Sequence, residues 1–374
     1  MANCLRGSLI KAKALPKTLR KNGRSMEKYY GIQYLRGLAA VFVIIYHSLM
    51  MAAVAPYFQN PIGDFGVDIF FVISGFVMWV ATDNKKNGTL HFWWARILRV
   101  APLYWFFTLL IISAALLLPS LFFNSRGIDP VFILKSLLFI PAQNPDVGDV
   151  TPVYTIGWTL IYEMFFYLLF GFGLLIGDMR KRFIFIVVLF SGLALCGMLG
   201  EFKDPVLATY TGPIILEFSG GVVLGYFRQH LFNLGPKVGA GLVMAALASL
   251  LFVHADQSSR FWLYGVPSLA LVSGVVVLEK YIQSNVKKIP LFLGEVSYSL
   301  YLSHPISQRV WYVVFIMLFG QIASKEVAIA YASGSVVVGI LGGVICYLVV
   351  EKQLLRLARM GNRSKQSATH AIPS

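Results

Sequence analysis

The sequence predicts an all-α polytopic integral membrane protein of about ten transmembrane helices, with both termini cytoplasmic. Three observations predict it. Of the 374 residues, 57% are hydrophobic and only 13% charged, with a mean hydropathy of +0.70; soluble domains of this length do not have such a composition. Apolar runs of about 20 residues, each able to cross some 30 Å of hydrocarbon as a helix, recur from end to end. Lysine and arginine alternate between connecting segments: 26 of the 32 fall where short cytoplasmic loops are expected, and only Arg126, Lys135, Lys203, Arg260, Arg309 and Lys325 fall on or near the outer side. Adding or dropping one span inverts this pattern downstream, so an even count is expected.

The spans are placed near 34–55, 67–82, 99–119, 156–177, 183–200, 209–227, 236–253, 262–279, 290–319 and 327–350, with 131–141 an interfacial or re-entrant piece. Residues 1–28 read as a basic, disordered cytoplasmic extension, 29–350 as the transmembrane domain and 351–374 as a basic cytoplasmic tail. Translation could start at Met26. A cleaved signal peptide is not expected, because the basic leader is too long and the apolar core exceeds 7–15 residues. The three cysteines, Cys4, Cys196 and Cys346, are scattered and suggest neither a disulfide nor a metal site. The net charge of +15 is a topology signal and an attraction to anionic membrane lipids, not a nucleic-acid stripe.

The first span carries Arg36 and His47, 11 residues apart. Eleven steps return a helix to within about 20° of the same face and advance it about 16 Å. One stripe thus presents a cation near one surface and an imidazole near the other. Taken singly, each residue reads equally well as structural, Arg36 snorkelling and His47 bonding a neighbouring helix, or as an ionisable group that faces a cavity and serves a function. The second span opens GVDIFFVISGF, with Asp68 at its outer mouth, where dipole compensation is the plainer reading. Ser74 lies inside it beside Gly75, which suits close helix packing.

At the start of the third span, Arg96 and Arg99 are spaced i, i+3 on one face among Trp93, Trp94, Tyr104 and Trp105. They read either as a positive-inside anchor or as a forked clamp for phosphate. Residues 120–155 form the longest outer loop, a lid or acceptor-facing segment. In WTLIYEMFF, Glu163 is expected about 10–12 Å below the outer surface, where a carboxylate is neutral or paired. Glu217 could be a satisfied structural group or line the cavity. The ninth span, LGEVSYSLYLSHP, is unusually polar through Tyr298, Ser299, Tyr301, Ser303 and His304, and Pro305 could kink it.

Sorted by depth, the polar groups are expected in two tiers. Arg36, Arg96 and Arg99 form the inner one. His47, Glu163 and His304 form the outer one, with Asp68 above. The inner tier suits an anionic cytoplasmic ligand and the outer one proton transfer. A transporter or flippase for a lipid-linked sugar or proton-coupled solute also uses buried His and Glu, although no inverted repeat is evident. A non-enzymatic component of a polysaccharide-assembly machine has no need of the inner arginines.

The stretches YLRGLAAVFVIIYHS, GVDIFFVISGF, RILRVAPLYW, WTLIYEMFF and SYSLYLSHP resemble the membrane acyltransferase-3 family, in order and spacing, from about residue 30 to 350. Within it the chain is most similar to the exopolysaccharide O-acetyltransferases. The resemblance implies ten core spans in the cell (inner) membrane, acetyl-CoA as a cytoplasmic co-substrate rather than a bound cofactor, and a hydroxyl of a polysaccharide or lipid-linked oligosaccharide as acceptor. No appended esterase-like domain of the kind some members carry follows, so the chain is expected to act alone or through a polysaccharide-assembly partner. On this reading Arg36, Arg96 and Arg99 hold the coenzyme A phosphates, and His47 is the general base supported by Glu163. Asp68, Ser74, Tyr298, Ser299, Tyr301 and His304 line the cavity or the substrate. Transient acetylation of His47 itself is an open variant.

Overall fold

The computed structural model describes residues 28–58, 61–83, 88–117, 129–255 and 259–357. The N-terminal extension through residue 27, Met26, Cys4, Lys85, Lys86, Arg126 and the chain after 357 lie outside the described residues. Among these residues the fold is all helix: α1 (Tyr30–Leu49), α2 (Gly66–Thr82), α3 (Thr89–Leu117), α4 (Pro130–Leu137), α5 (Trp158–Gly173), α6 (Met179–Leu199), α7 (Pro205–Tyr210), α8 (Ile215–Tyr226), α9 (Arg228–Leu231), α10 (Pro236–Phe252), α11 (Val266–Ser284), α12 (Lys288–Phe319) and α13 (Lys325–Cys346). Among the described residues, seven helical stretches are long and apolar enough to cross a membrane, and Gly66–Thr82 and Pro236–Phe252 are apolar but shorter. The protein is a multi-pass, all-α membrane protein.

Two of the expected spans are less regular than their hydropathy. The 209–227 run is broken into α7 and α8, because Gly212-Pro213 interrupts the hydrogen-bonded ladder. The 262–279 run begins as a π-helical turn, Phe261–Gly265, before α11. The tail boundary at 351 also shifts. A π turn, Tyr347–Glu351, continues α13, and helix persists to residue 357 with Glu351 buried. The 131–141 piece forms the short α4.

Lipid supplies little hydrophobic drive between helices, so close backbone approach and buried polar bonds hold the bundle together. At Gly75 of α2, a Cβ would lie 2.0 Å from the Phe218 carbonyl oxygen of α8. At Gly294 of α12, a Cβ would lie 2.0 Å from the Gln33 carbonyl oxygen of α1. The start of α1 is capped from a distance: Glu279 of α11 accepts hydrogen bonds from the Tyr30 and Gly31 amides, at 2.6 and 2.9 Å. That carboxylate serves two of the amides a helix start leaves unpaired, and it meets the positive end of the dipole.

The long segment after α4 does not stay outside the bundle. Tyr154 and Asn144 are buried, the Tyr154 hydroxyl donates to the Leu302 carbonyl of α12, and the Ser136 hydroxyl accepts from the Val153 amide at 3.0 Å. A 3-10 turn, Thr155–Gly157, with Ile156 and Gly157 buried, then leads into α5. That entry decides how deep α5 begins.

Candidate active site

α1, α2, α3, α5 and α12 enclose a cavity of about 150 Å³, with Arg36, Ser74, Arg96, Arg99, Glu163, Tyr167, Tyr298 and Tyr301 on its wall. Arg36 comes from the second turn of α1, and Arg96 and Arg99 from successive turns of α3. The three guanidiniums are held by different means. Arg99 pairs with Glu351, whose second oxygen accepts from the Ser299 hydroxyl at 2.5 Å, and its guanidinium lies 5.2 Å from the centre of the Tyr298 ring. Arg96 sits over the rings of Phe92 and Tyr167, 5.9 Å from each, and its buried Nε has no hydrogen-bond partner. Arg36 makes one long contact, 3.4 Å to Gln33. Cation–π contacts orient a guanidinium without satisfying its five donors, so Arg36 and Arg96 keep donors free for an anion.

Glu163 faces the same cavity. The Ser74 hydroxyl donates to its Oε1 at 3.0 Å and the Tyr167 hydroxyl at 2.5 Å. The depth expected for it is therefore corrected: Glu163 belongs with the arginines, not level with His47. The count assumed that α5 starts at the membrane surface. Instead the turn before it is buried, and the Tyr301 hydroxyl donates to the Ile156 carbonyl at 2.9 Å and lies 2.8 Å from the Thr159 hydroxyl. Thr159 is thus level with Tyr301. One turn further along α5 brings Glu163 about 6 Å deeper, while His304 lies about 4.5 Å the other way along α12.

The two histidines form their own pair. His47 Nδ1 lies 2.9 Å from the Val43 carbonyl and His304 Nδ1 lies 3.2 Å from the Leu300 carbonyl, each one turn back on its own helix. The ring centres are 4.8 Å apart with planes at 60°. One turn above, the Gln308 side chain of α12 donates to the Ile44 carbonyl at 2.9 Å and to the Ser48 hydroxyl at 2.7 Å. Ser48 in turn donates to Ser335 of α13 at 3.0 Å. This buried polar chain fixes α1 against α12 and α13 where the rings meet.

Of the six residues expected along the substrate or cavity, Ser74, Tyr298 and Tyr301 are on the wall. Ser299 turns to Glu351, and His304 turns to His47. Asp68 is elsewhere. It is fully buried and takes both arms of Arg260, Nε at 3.0 Å and Nη2 at 2.6 Å, while Asp64 accepts from Nη1 at 3.4 Å. A forked ion pair therefore replaces simple dipole compensation. Glu217 does not line the cavity. It is buried against the Asp68 carboxyl and beside Gly265, where a Cβ would lie 2.8 Å from its Oε1. Sequence reasoning missed Glu351, Tyr167, Gln308 and the Arg260 pairing. Glu351 carried a signal, an acid directly after the last apolar run, but it was assigned to the tail.

The sequence profile of a family described as an acyltransferase domain matches residues 29–349. The chain belongs to the acyltransferase-3 family. It is 34% identical over 307 residues to the exopolysaccharide production protein ExoZ of Rhizobium meliloti, covering 80% of this chain and 91% of that one. It is 27% identical to the O-acetyltransferase OatA of Staphylococcus aureus, covering 76% of this chain and 52% of that one. A putative acetyltransferase of Acidianus two-tailed virus is 24% identical over 83% of this chain. No solved structure matches. Family membership makes this chain a membrane acyltransferase and sets the transporter and assembly-component readings aside.

Proposed function

We propose that this acyltransferase moves an acetyl group from cytoplasmic acetyl-CoA to a hydroxyl of an exopolysaccharide or its lipid-linked precursor, within the cell's inner membrane. The observation that carries the proposal is the convergence of three guanidiniums on one cavity within the helical bundle. Arg99 is paired with Glu351, whereas Arg36 and Arg96 have no carboxylate bonded to them, and two such cations suit an anionic ligand that enters from the side where the basic loops lie. On the reading of ten crossings with both termini cytoplasmic, that side is the cytoplasm, and the phosphates of coenzyme A supply the charge. The name of the Rhizobium relative supports an exopolysaccharide acceptor, and that of OatA supports transfer of acetyl to oxygen.

Arg36 and Arg96 contact the phosphates through their free donors. Arg99, neutralised by Glu351, braces the cavity wall and Tyr298. Glu163, held by Ser74 and Tyr167, offsets part of the arginine charge so that the donor is bound without being trapped. The thioester reaches from this cavity toward His47. His47 donates through Nδ1 to Val43, which leaves the Nε2 lone pair as base. As the sugar oxygen forms its bond to the thioester carbonyl carbon, its proton passes to Nε2. The carbon–sulfur bond then breaks and the thiolate recovers that proton, so no net charge crosses the membrane.

Labelled acetyl-CoA incubated with the purified protein and with host exopolysaccharide stripped of its esters by mild base tests this directly. Label is expected on the glycan, released by alkali as acetate. A protein that leaves the glycan unlabelled while transferring a longer acyl group from another thioester would overturn the acetyl assignment.

A further inference from the structure

His304 is buried to zero exposure, and its Nε2 has no hydrogen-bond partner among the described residues. Its Nδ1 donates to the Leu300 carbonyl at 3.2 Å. A carbonyl can only accept, so Nδ1 carries the hydrogen, and in the neutral ring, the form that a membrane interior favours, Nε2 is a bare lone pair. Such an orphan acceptor in a membrane interior is unfavourable and calls for an explanation. Leucine would fill the same space without that penalty.

His47 is the group able to satisfy it. Its ring lies 4.8 Å from the His304 ring, and its own Nδ1 is also committed to a carbonyl one turn back. In the resting state both rings are neutral and present lone pairs at Nε2, so neither can donate to the other. When a proton arrives at His47 Nε2, that nitrogen becomes a donor, and the orphan on His304 becomes its acceptor. Among the described residues neither histidine has a carboxylate as hydrogen-bond partner; Glu163 is bonded to Ser74 and Tyr167, Asp68 to Arg260, and Asp64, whose charge acts on His47, is itself held by Arg260. An imidazolium here therefore has no directly bonded carboxylate, and the His304 lone pair is an acceptor within the bundle.

We propose that His304 is a positioning residue for His47, its Nε2 accepting a hydrogen bond from the proton that His47 gains, so that the two rings hold one proton between them during acyl transfer. The inference rests on His47 as the base. The balance is that of the reaction itself: the proton leaves the acceptor hydroxyl as the new carbon–oxygen bond forms, is held by the histidine pair, and passes to the coenzyme A sulfur as the carbon–sulfur bond breaks. The Gln308–Ser48–Ser335 chain keeps the rings at this separation by fixing α1 against α12.

The test compares His304→Leu and His304→Gln in the full-length purified protein, with acetyl-CoA and base-stripped host exopolysaccharide, reading kcat, KM for acetyl-CoA and Tm. His304→Leu is expected to lower kcat about 10²-fold with KM for acetyl-CoA unchanged, and to leave Tm equal or higher because the orphan acceptor is gone. His304→Gln, whose amide oxygen restores an acceptor without basicity, is expected to recover part of kcat. A His304→Leu protein with wild-type kcat overturns the proposal. So does a fall in kcat that is matched by lost Tm in both variants, since the ring would then be packing alone. His47→Ala separates the two readings: if it remains active, the base assignment fails; if it is inactive while His304→Leu is active, only this inference fails.

Discussion

The arginine cavity and the histidine pair share two helices, α1 and α12, yet they are built on opposite plans. In the cavity, charges sit at the ends of long side chains. Each is steadied by something different: a carboxylate for Arg99, two aromatic faces for Arg96, a single long contact for Arg36. At the histidines the groups are neutral, the side chains are short, and the partners are main-chain carbonyls one turn away. The contrast matches the two tasks. A flexible anion can be gathered by donors that adjust to it, whereas proton transfer requires atoms within a few tenths of an ångström of a productive position.

Variants can break this contrast, and the largest effect falls on the histidine side. His47→Ala is expected to reduce transfer at least about 10³-fold while isothermal titration still detects coenzyme A binding. Chemistry and donor binding would then be separable, as the two-region architecture requires; loss of both together would merge the regions into one. Next, Arg96→Ala should raise KM for acetyl-CoA by roughly 10-fold or more, on the order of the 1.5–3 kcal/mol of a charge-assisted hydrogen bond, with a much smaller change in kcat. A KM that does not move would return Arg96 to the role of interfacial anchor.

Glu351→Gln probes the steadying of the cavity wall. It keeps the shape but removes the charge facing Arg99, and a Tm lowered by a destabilisation of about 2 kcal/mol, with a modest rise in KM, is the expected result. Unaltered melting would mean that Arg99 and Glu351 are each satisfied without the other. Smallest of all, Ser74→Ala leaves Glu163 still bonded to Tyr167 and acts on the donor only through that carboxylate, so donor KM is expected to change by only about twofold, below the worth of a direct hydrogen bond to the donor. A larger change would show that Ser74 contacts the donor itself.

Packing can be broken independently of either site. Gly75→Ala would place a methyl 2.0 Å from the Phe218 carbonyl, forcing α2 from α8 at a cost of about 1–3 kcal/mol, read as a lower Tm. Because Ser74 adjoins Gly75, the same shift should loosen the Ser74–Glu163 contact and raise donor KM slightly. The His47–His304 pair, on α1 and α12, should keep its geometry.

The places where sequence reasoning fell short share a cause. Counting from a helix start at the membrane surface sets Glu163 too high, because the segment carrying Tyr154 and Ile156 into the bundle shifts that start inward. Hydropathy drops at Glu351 and places it in the tail, although the helix continues and buries it against Arg99 and Ser299. Asp68 shows no partner nearby in the sequence because Arg260 lies 192 residues away. Each error is one of partner or depth, and neither quantity is periodic along a chain.

What the sequence determined by itself is what repeats or accumulates locally: the helical class, the run of membrane-length apolar segments, the placement of Arg36 with His47 on one helical stripe, and Arg96 with Arg99 on another. These follow from 1.5 Å and 100° per residue and from the burial preferences of side chains. The tertiary structure decided which stripes face each other. It separated Glu163 from His47, gave His47 a second imidazole instead of a carboxylate, and set Arg99 apart from the other two arginines. Those outcomes depend on helix offsets of one turn, fixed by glycine contacts, a buried loop and hydrogen bonds between residues far apart in the chain.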